Sequence, residues 1–144
     1  MDLETTDRVA RADEDAVYRG LLEYNLARLE DKHPRQLGVF LRNEQGRPAA
    51  GLIGMTHGNW LSIQYLWVSE PLRKQGIGSH LLERAESAAA ERGCRYAFVD
   101  TFHFQAPEFY EKHGYREAFV LTEYPVTGRR YYYTKRLALQ DGHH

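Results

Sequence analysis

The hydrophobic positions of this chain change period several times, and the changes predict its elements. Val17, Tyr18, Leu21, Leu22, Leu26 and Leu29 recur at helical spacing. Asp13, Glu14 and Asp15 come just before them, where negative charge suits the start of a helix, so the spacing predicts a helix from Asp13 to Leu29. Ahead of it, Thr5 to Ala10 reads as a short first strand. Beyond His33-Pro34, strand character recurs at Gln36 to Arg42, Ala49 to Thr56 and Trp60 to Val68, with turn signals at Asn43-Glu44-Gln45-Gly46 and His57-Gly58-Asn59. The short links predict an antiparallel meander. Strict alternation in the third run puts Leu61, Ile63, Tyr65 and Trp67 on one face.

The period then lengthens. Ile77, Leu81, Leu82, Ala85, Ala88 and Ala89 repeat as a helix face, and Gly93 stands where a helix stop belongs. Cys94 to Thr101 is a fourth central strand, and Pro107 to His113 is a short helix stopped by Gly114. Tyr115 to Tyr124 and Tyr131 to Leu137 are two closing strands, joined through Pro125-Val126-Thr127-Gly128. The strand–helix–strand unit over residues 60–101 requires one parallel pair inside an otherwise antiparallel sheet.

Composition adds mainly exclusions. The chain has 144 residues, is 42% hydrophobic and 27% charged, and carries a net charge of −1. That suits one globular domain, expected over residues 1–137, with 138–144 as a tail. The balanced charge gives no global footprint for nucleic acid or an anionic membrane. No apolar run approaches the ~20 residues that span a bilayer. The polar Met1 to Arg11 stretch is unlike a secretory signal, so a cytoplasmic location is expected. Cys94, the one cysteine, can form no internal disulfide and reads as a small buried side chain. His57, His80 and His113 have no metal-ligand spacing, and no metal is expected. His143 and His144 read as tag residue or native tail.

The segment with chemistry in it is Leu66-Trp67-Val68-Ser69-Glu70-Pro71-Leu72-Arg73-Lys74-Gln75-Gly76-Ile77-Gly78-Ser79. A strand runs into a basic loop with two glycines, which opens a helix. Unpaired N–H groups at a helix start form an anion site, and glycine lets a phosphate approach the backbone. The plainer reading of Gly76 and Gly78 is a tight turn. The loop is neither a G-x-x-x-x-G-K-[ST] loop nor a three-glycine dinucleotide fingerprint.

Arg73-Lys74-Gln75-Gly76-Ile77-Gly78 does fit the acetyl-CoA motif [RQ]-x-x-G-x-[GA]. Ala106-Pro107-Glu108-Phe109-Tyr110-Glu111-Lys112-His113-Gly114-Tyr115 fits A-x-x-F-Y-E-K-x-G-[FY]. With both motifs in this order, the chain resembles the GNAT superfamily of acetyl-CoA-dependent N-acetyltransferases to about Leu137. The resemblance implies an α/β (α+β) fold, with a mixed, mostly antiparallel sheet of about six to seven strands and helices on both faces. It implies acetyl-CoA as cosubstrate, held by Leu66, Trp67 and Val68 at the strand end, by Arg73, Lys74, Gln75, Gly76, Ile77, Gly78 and Ser79 in the loop, and by Ala106, Phe109 and Tyr110. The family often has Asn where this chain has His103, and Gln105 is the nearest amide that could replace it.

By the same resemblance, Tyr110 is the general acid at the thioester sulfur, and a backbone N–H near Val68 faces the carbonyl oxygen where the strand bulges. Asp100 is the first choice of general base, with Glu70 and His103 as alternatives; turn hydrogen bonding is the plainer role of an Asp at a strand end. Tyr115 reads as an apolar ring closing the strand after Gly114. The acceptor is expected to be a primary amine on a small molecule or peptide, lined by Tyr24, Asn25, Trp67, Asp100 and the final hairpin. One face of Tyr131-Tyr132-Tyr133 would suit an acceptor pocket or a homodimer contact, with an ordinary sheet face as the simpler reading. A non-catalytic acetyl-CoA sensor is the competing function, and the intact Tyr110 argues against it.

Overall fold

A computed structural model describes residues 1–30 and 33–138. The chain divides into two units, Met1–Lys32 and His33–His144. In the first, helix α1 spans Arg11–Leu26, with Asp13 and Glu14 in its first turn. The N–H groups of Asp13 and Glu14 both donate to the Ala10 carbonyl at 3.0 Å. The strand expected at Thr5 to Ala10 does not form. The Arg8 N–H donates instead to Thr6 Oγ1 at 3.0 Å, a local bond that competes with strand pairing. The tail expected after Leu137 lies outside the described residues beyond Ala138.

The second unit carries six strands: β1 (Arg35–Arg42), β2 (Pro48–His57), β3 (Trp60–Val68), β4 (Tyr96–Phe102), β5 (Arg116–Thr122) and β6 (Arg129–Arg136). Helix α2 (Ile77–Glu91) joins β3 to β4, and the single-turn-and-a-half helix α3 (Glu108–Lys112) joins β4 to β5. The sheet order is β1-β2-β3-β4-β6-β5. Only β3 and β4 run parallel, as a helical crossover between strands demands. The mixed sheet expected from sequence is therefore present, with six strands.

Alternation builds one core on one sheet face. Ala50 and Leu52 of β2, Leu61 and Ile63 of β3, Ala97 and Val99 of β4 and Tyr133 of β6 meet Leu81, Leu82, Ala85 and Ala89 of α2 there, and Tyr110 of α3 joins them. The small residues at 85 and 89 let α2 lie close over β1, β2 and β3. α2 ends with Gly93 at φ +95, and Arg92 reaches across to the Gln36 carbonyl at 2.9 Å and Thr56 Oγ1 at 3.0 Å. Cys94 is buried at the entry to β4. The other face carries aromatic rings: Trp60 on Tyr96, Phe98 on Tyr132 and Tyr132 on Phe119.

One irregularity matters more than the rest. In the β2–β3 register Gly54 opposes Ile63 and Ile53 opposes Tyr65, so Gln64 has no opposite number. A bulge of one residue reverses the alternation after it. Leu61 and Ile63 face the core as expected, but Tyr65 and Trp67 do not; they are 69% and 52% exposed. Leu66 and Val68 pack on the core in their place. The pairing of β3 with β4 ends at the same point, with Ile63 opposite Val99.

Glycine is required opposite this bulge. A Cβ on Gly54 would lie 2.7 Å from the Ser62 carbonyl oxygen and 3.2 Å from Leu61 Cδ1. Gly54→Ala is expected to destabilise the protein by roughly 1–3 kcal/mol, the usual range for overpacking against fixed atoms. Urea unfolding checks this; an unchanged midpoint would mean the bulge yields without strain.

Candidate active site

The parted strands form one wall of the site. The Ser69 N–H donates to Ala49 of β2 at 2.9 Å. Backbone groups alternate sides along a strand, so those of Leu66 and Val68 turn away from β2, towards the gap that β4 leaves. Their side chains anchor in the core, which fixes the direction of these edge groups.

The loop after β3 starts with a 3-10 turn at Glu70–Leu72 and reaches α2 through two left-handed residues, Lys74 at φ +66 and Gly76 at φ +77. No side chain caps α2, and no acid lies in its first turn. The N–H groups there are left for an anion, and the dipole favours one. The two glycines differ in their surroundings. A Cβ at Gly76 would meet nothing within 4 Å, so the backbone angle alone selects glycine and the space above it is open. A Cβ at Gly78 would sit 3.4 Å from Phe109 Cζ and 3.9 Å from Val68 Cγ2, ordinary contact distances, so this position places the loop beside α3 and β3 without demanding glycine for packing.

The basic residues of the loop are used unequally. Arg73 Nε donates to the Val68 carbonyl at 3.0 Å, which ties the loop back to the strand end. Gln75 Nε2 donates to the Pro71 carbonyl at 3.2 Å. Lys74 is exposed. Ser79 Oγ lies 2.8 Å from His113 Nε2, joining the first turn of α2 to the end of α3, and the His113 ring packs on Phe109. The sequence offered no signal for this pair, which bridges residues in separate motifs.

Tyr110 sits among the rings of Phe109, Tyr115 and Tyr133. Burial first, and then the negative charge of Asp100, push its hydroxyl up to about 12. Among the described residues its oxygen has no protein partner, and no unsatisfied side-chain polar atom is fully buried. The hydroxyl therefore opens onto accessible space. Its neighbours are committed elsewhere. Tyr133 donates to Glu111 Oε2 at 2.9 Å, and burial, then Glu111, hold its hydroxyl well above the usual phenol range. Tyr115 is more than an apolar plug: it donates to Glu86 Oε2 at 2.8 Å, and Lys135 pairs with the same carboxylate at 2.9 Å.

Asp100 is the first β4 residue past the last β3–β4 pair, and it lies on the sheet face opposite the core. Arg130 Nε donates to its Oδ2 at 2.7 Å, Nη2 forms an ion pair with the same oxygen at 2.6 Å, and Nη1 donates to the Tyr124 hydroxyl at 2.8 Å. The Asp100 carboxylate is thus held by Arg130 through Oδ2. Sequence reasoning missed Arg130, because the antiparallel β4–β6 register brings it to Asp100, and Tyr124, which meets Arg130 from the link between β5 and β6.

The remaining candidates serve local structure. His103 Nδ1 accepts the Arg129 N–H at 3.3 Å, and its ring fills the space beside Gly128. Gln105 Oε1 accepts the Phe102 N–H at 2.8 Å and the Thr101 hydroxyl at 3.3 Å, closing the turn before α3. Ala106 takes a left-handed conformation at φ +57, and its carbonyl accepts the Phe109 N–H. Glu70 is exposed on its turn. Tyr24 lies in the first unit, under the guanidinium of Arg28 at 3.8 Å. Among the described residues no group of three His, Cys, Asp or Glu side chains converges, and no helix is long and apolar enough to cross a membrane.

Residues 3–115 match the profile of the Acetyltransferase (GNAT) family. An acetyltransferase of Agrobacterium fabrum, Atu2258, is 40% identical over 102 residues, covering 71% of this chain and 74% of that protein. The blasticidin-S acetyltransferase of Streptomyces morookaense is 45% identical over 83 residues, or 57% of this chain and 61% of that one. The crystal structure of an acetyltransferase from Bacillus cereus superposes with a TM-score of 0.81 at 34% identity, covering 93% of this chain and 98% of that one. A more distant fold relative from Bacillus anthracis, at 18% identity and a TM-score of 0.64, was solved in complex with acetyl coenzyme A; it covers 74% of this chain and 65% of that one. The open loop at Gly76 and the uncapped start of α2 suit the phosphates of that cosubstrate. The chain belongs to the acetyltransferase (GNAT) family and is an acyltransferase that uses acetyl-CoA.

Proposed function

We propose that this protein transfers the acetyl group of acetyl-CoA directly to a primary amine while both substrates are bound. The observation that carries this reading is the coincidence of three features at one strand end. They are the gap after Ile63–Val99, the uncapped α2 terminus and the unpartnered Tyr110 hydroxyl.

In this reading the pyrophosphate lies on the N–H groups of the loop at Gly76, Ile77 and Gly78. The pantetheine amides pair with the Leu66 backbone and the Val68 N–H as an added strand, in the gap that β4 leaves. The N–H of Val68 is then placed to stabilise the carbonyl oxygen as negative charge develops on it. Arg73 keeps that strand end rigid through the Val68 carbonyl. With His103 and Gln105 held by local bonds, the arm is gripped chiefly by backbone.

The amine enters as an ammonium and must lose a proton before attack. Asp100 remains the proposed acceptor of that proton, once its hold on Arg130 is loosened. Nitrogen then bonds to the thioester carbon and the carbon–sulfur bond breaks. Tyr110 donates its hydrogen to the departing sulfur. A phenol at about 12 is a weaker acid than a thiol at about 8.5 by some three to four powers of ten. The hydroxyl must therefore act in a preorganised contact, as a hydrogen-bond donor whose proton moves only as sulfur charge develops. The relative named blasticidin-S acetyltransferase makes a small-molecule acceptor the favoured class.

Two variants test the reading together. Tyr110→Phe keeps the ring and removes only the donor, so turnover is expected to fall by about 10²-fold or more with little change in acetyl-CoA affinity. Gly76→Asp places a negative side chain in open space, and Asp accepts the left-handed angle better than most residues. Calorimetry should then show a sharp loss of CoA affinity in a folded protein. Unchanged turnover in the first variant, with chemistry rate-limiting, removes Tyr110 from the reaction; unchanged affinity in the second removes the loop. The high position of the Tyr110 hydroxyl adds a pH expectation. It keeps its proton through the range of about 6 to 10, so any fall in rate there must come from another group.

A further inference from the structure

The Asp100–Arg130 pair carries an argument about the acceptor that the family does not supply. Arg130 Nε donates to Asp100 Oδ2, and Nη2 makes its ion-pair contact with that same oxygen. The outer edge of the guanidinium, Nη1 and Nη2, is split between two partners, the Tyr124 hydroxyl and that same Oδ2. A guanidinium edge is best matched by the two oxygens of one carboxylate, in two parallel bonds. Neither partner here offers that match. The pair is also reachable, since the side chains of Arg130 and Asp100 keep 27% and 29% of their surface exposed.

The surroundings are aromatic. Arg130 lies over the rings of Phe102, Tyr124 and Tyr132, at 5.7, 5.2 and 5.3 Å from their centres. Those rings hold the guanidinium in place and offer apolar surface beside it. Because Arg130 balances Asp100, the site holds no net negative charge to draw in a simple cation. A second positive charge would meet Arg130 as readily as Asp100.

Building on the acetyl-transfer reading above, we propose that the acceptor is an amine bearing its own carboxylate, of the amino-acid class. Its carboxylate takes the Nη1–Nη2 edge of Arg130, and its ammonium meets Asp100. Arg130 then holds Asp100 by Nε alone, and the ammonium donates to the carboxylate. One proton passes from the ammonium to Asp100 and on to solvent. The neutral nitrogen bonds to the acetyl carbon, and the carbon–sulfur bond breaks. The second nitrogen proton replaces the one that Tyr110 gives to sulfur. The products are the N-acetylated acid, CoA as its thiol and one released proton, so atoms and charge balance. Binding swaps one carboxylate for another on Arg130, and no charge is left unpaired.

The test is a free-thiol assay with acetyl-CoA and matched acceptors. The set comprises α-, β- and γ-amino acids, including phenylalanine and methionine, with the amide of each, and simple alkylamines and diamines. The acids are expected to exceed their amides by about tenfold or more in kcat/KM, the scale set by one well-placed charge pair. Arg130→Gln should erase or invert that ratio, because Asp100 is then free to receive a cation. Arg130→Lys, which keeps charge but loses the planar edge, should retain part of it. A role of Arg130 in stability alone would lower all rates together and leave the ratio intact. Amides or diamines reacting as well as the acids, or no acid reacting at all, overturns the proposal even if Arg130 variants fail to fold. Reaction with diamines but not acids would leave the acetyl-transfer reading standing, whereas reaction with no amine would remove both.

Discussion

Backbone hydrogen bonding is the constraint on which the site depends. Every N–H and C=O of a strand needs a partner, and a strand inside a sheet normally finds one on each side. Here β3 is paired with β2 throughout its length but with β4 only as far as Ile63. The extra residue at Gln64 turns the strand by one position just where that pairing ends. The outcome is a strand end whose side chains are locked in the core while its outer edge has no strand beside it. With the Val68 carbonyl taken by Arg73, the Leu66 groups and the Val68 N–H are the parts of this edge that the proposal gives to the amides of the pantetheine arm.

The neighbouring parts are built against that edge. Gly78 lies beside Phe109 and Val68, so α2 and α3 meet there. Tyr110 follows Phe109 directly, and its ring is wedged between those of Tyr115 and Tyr133, whose hydroxyls are tied to Glu86 and Glu111. Of these three tyrosines, Tyr110 is the one whose hydroxyl has no protein partner among the described residues. On the opposite sheet face the same strand boundary presents Asp100, held by Arg130 from β6. The proposed proton donor and acceptor thus approach one junction from the two faces of the sheet, near enough for the charge of Asp100 to be felt at Tyr110.

The parts of this arrangement that sequence displayed are those written in consecutive residues. Arg73 to Gly78 and Ala106 to Tyr115 announce the loop and the tyrosine, and period-two and helical patterns locate β3 and α2 closely. The bulge was not visible, because Leu61, Ile63, Tyr65 and Trp67 alternate without a break. Only the register against β2 shows that the last two face outward. Asp100 was legible as a strand-end acid, but its partner comes from thirty residues away and depends on how β4 and β6 align. His103 and Gln105 stood where a cofactor contact was expected, and their bonds to the Arg129 and Phe102 N–H groups follow from a turn geometry that composition does not encode. Thr5 to Ala10 formed no strand, and the Thr6 hydroxyl bonded the backbone of Arg8 instead.

The most direct measurement of the central claim is amide hydrogen exchange, resolved by residue, with and without saturating CoA. If the open edge of β3 receives the pantetheine arm, the N–H groups of Leu66 and Val68 should exchange about tenfold or more slowly in the complex, together with those at the start of α2. The N–H of Ser69, already bonded to Ala49, should change far less. Protection at the start of α2 with Leu66 and Val68 unaffected would contradict the account, because CoA would then be held by its phosphates without using the gap between the strands.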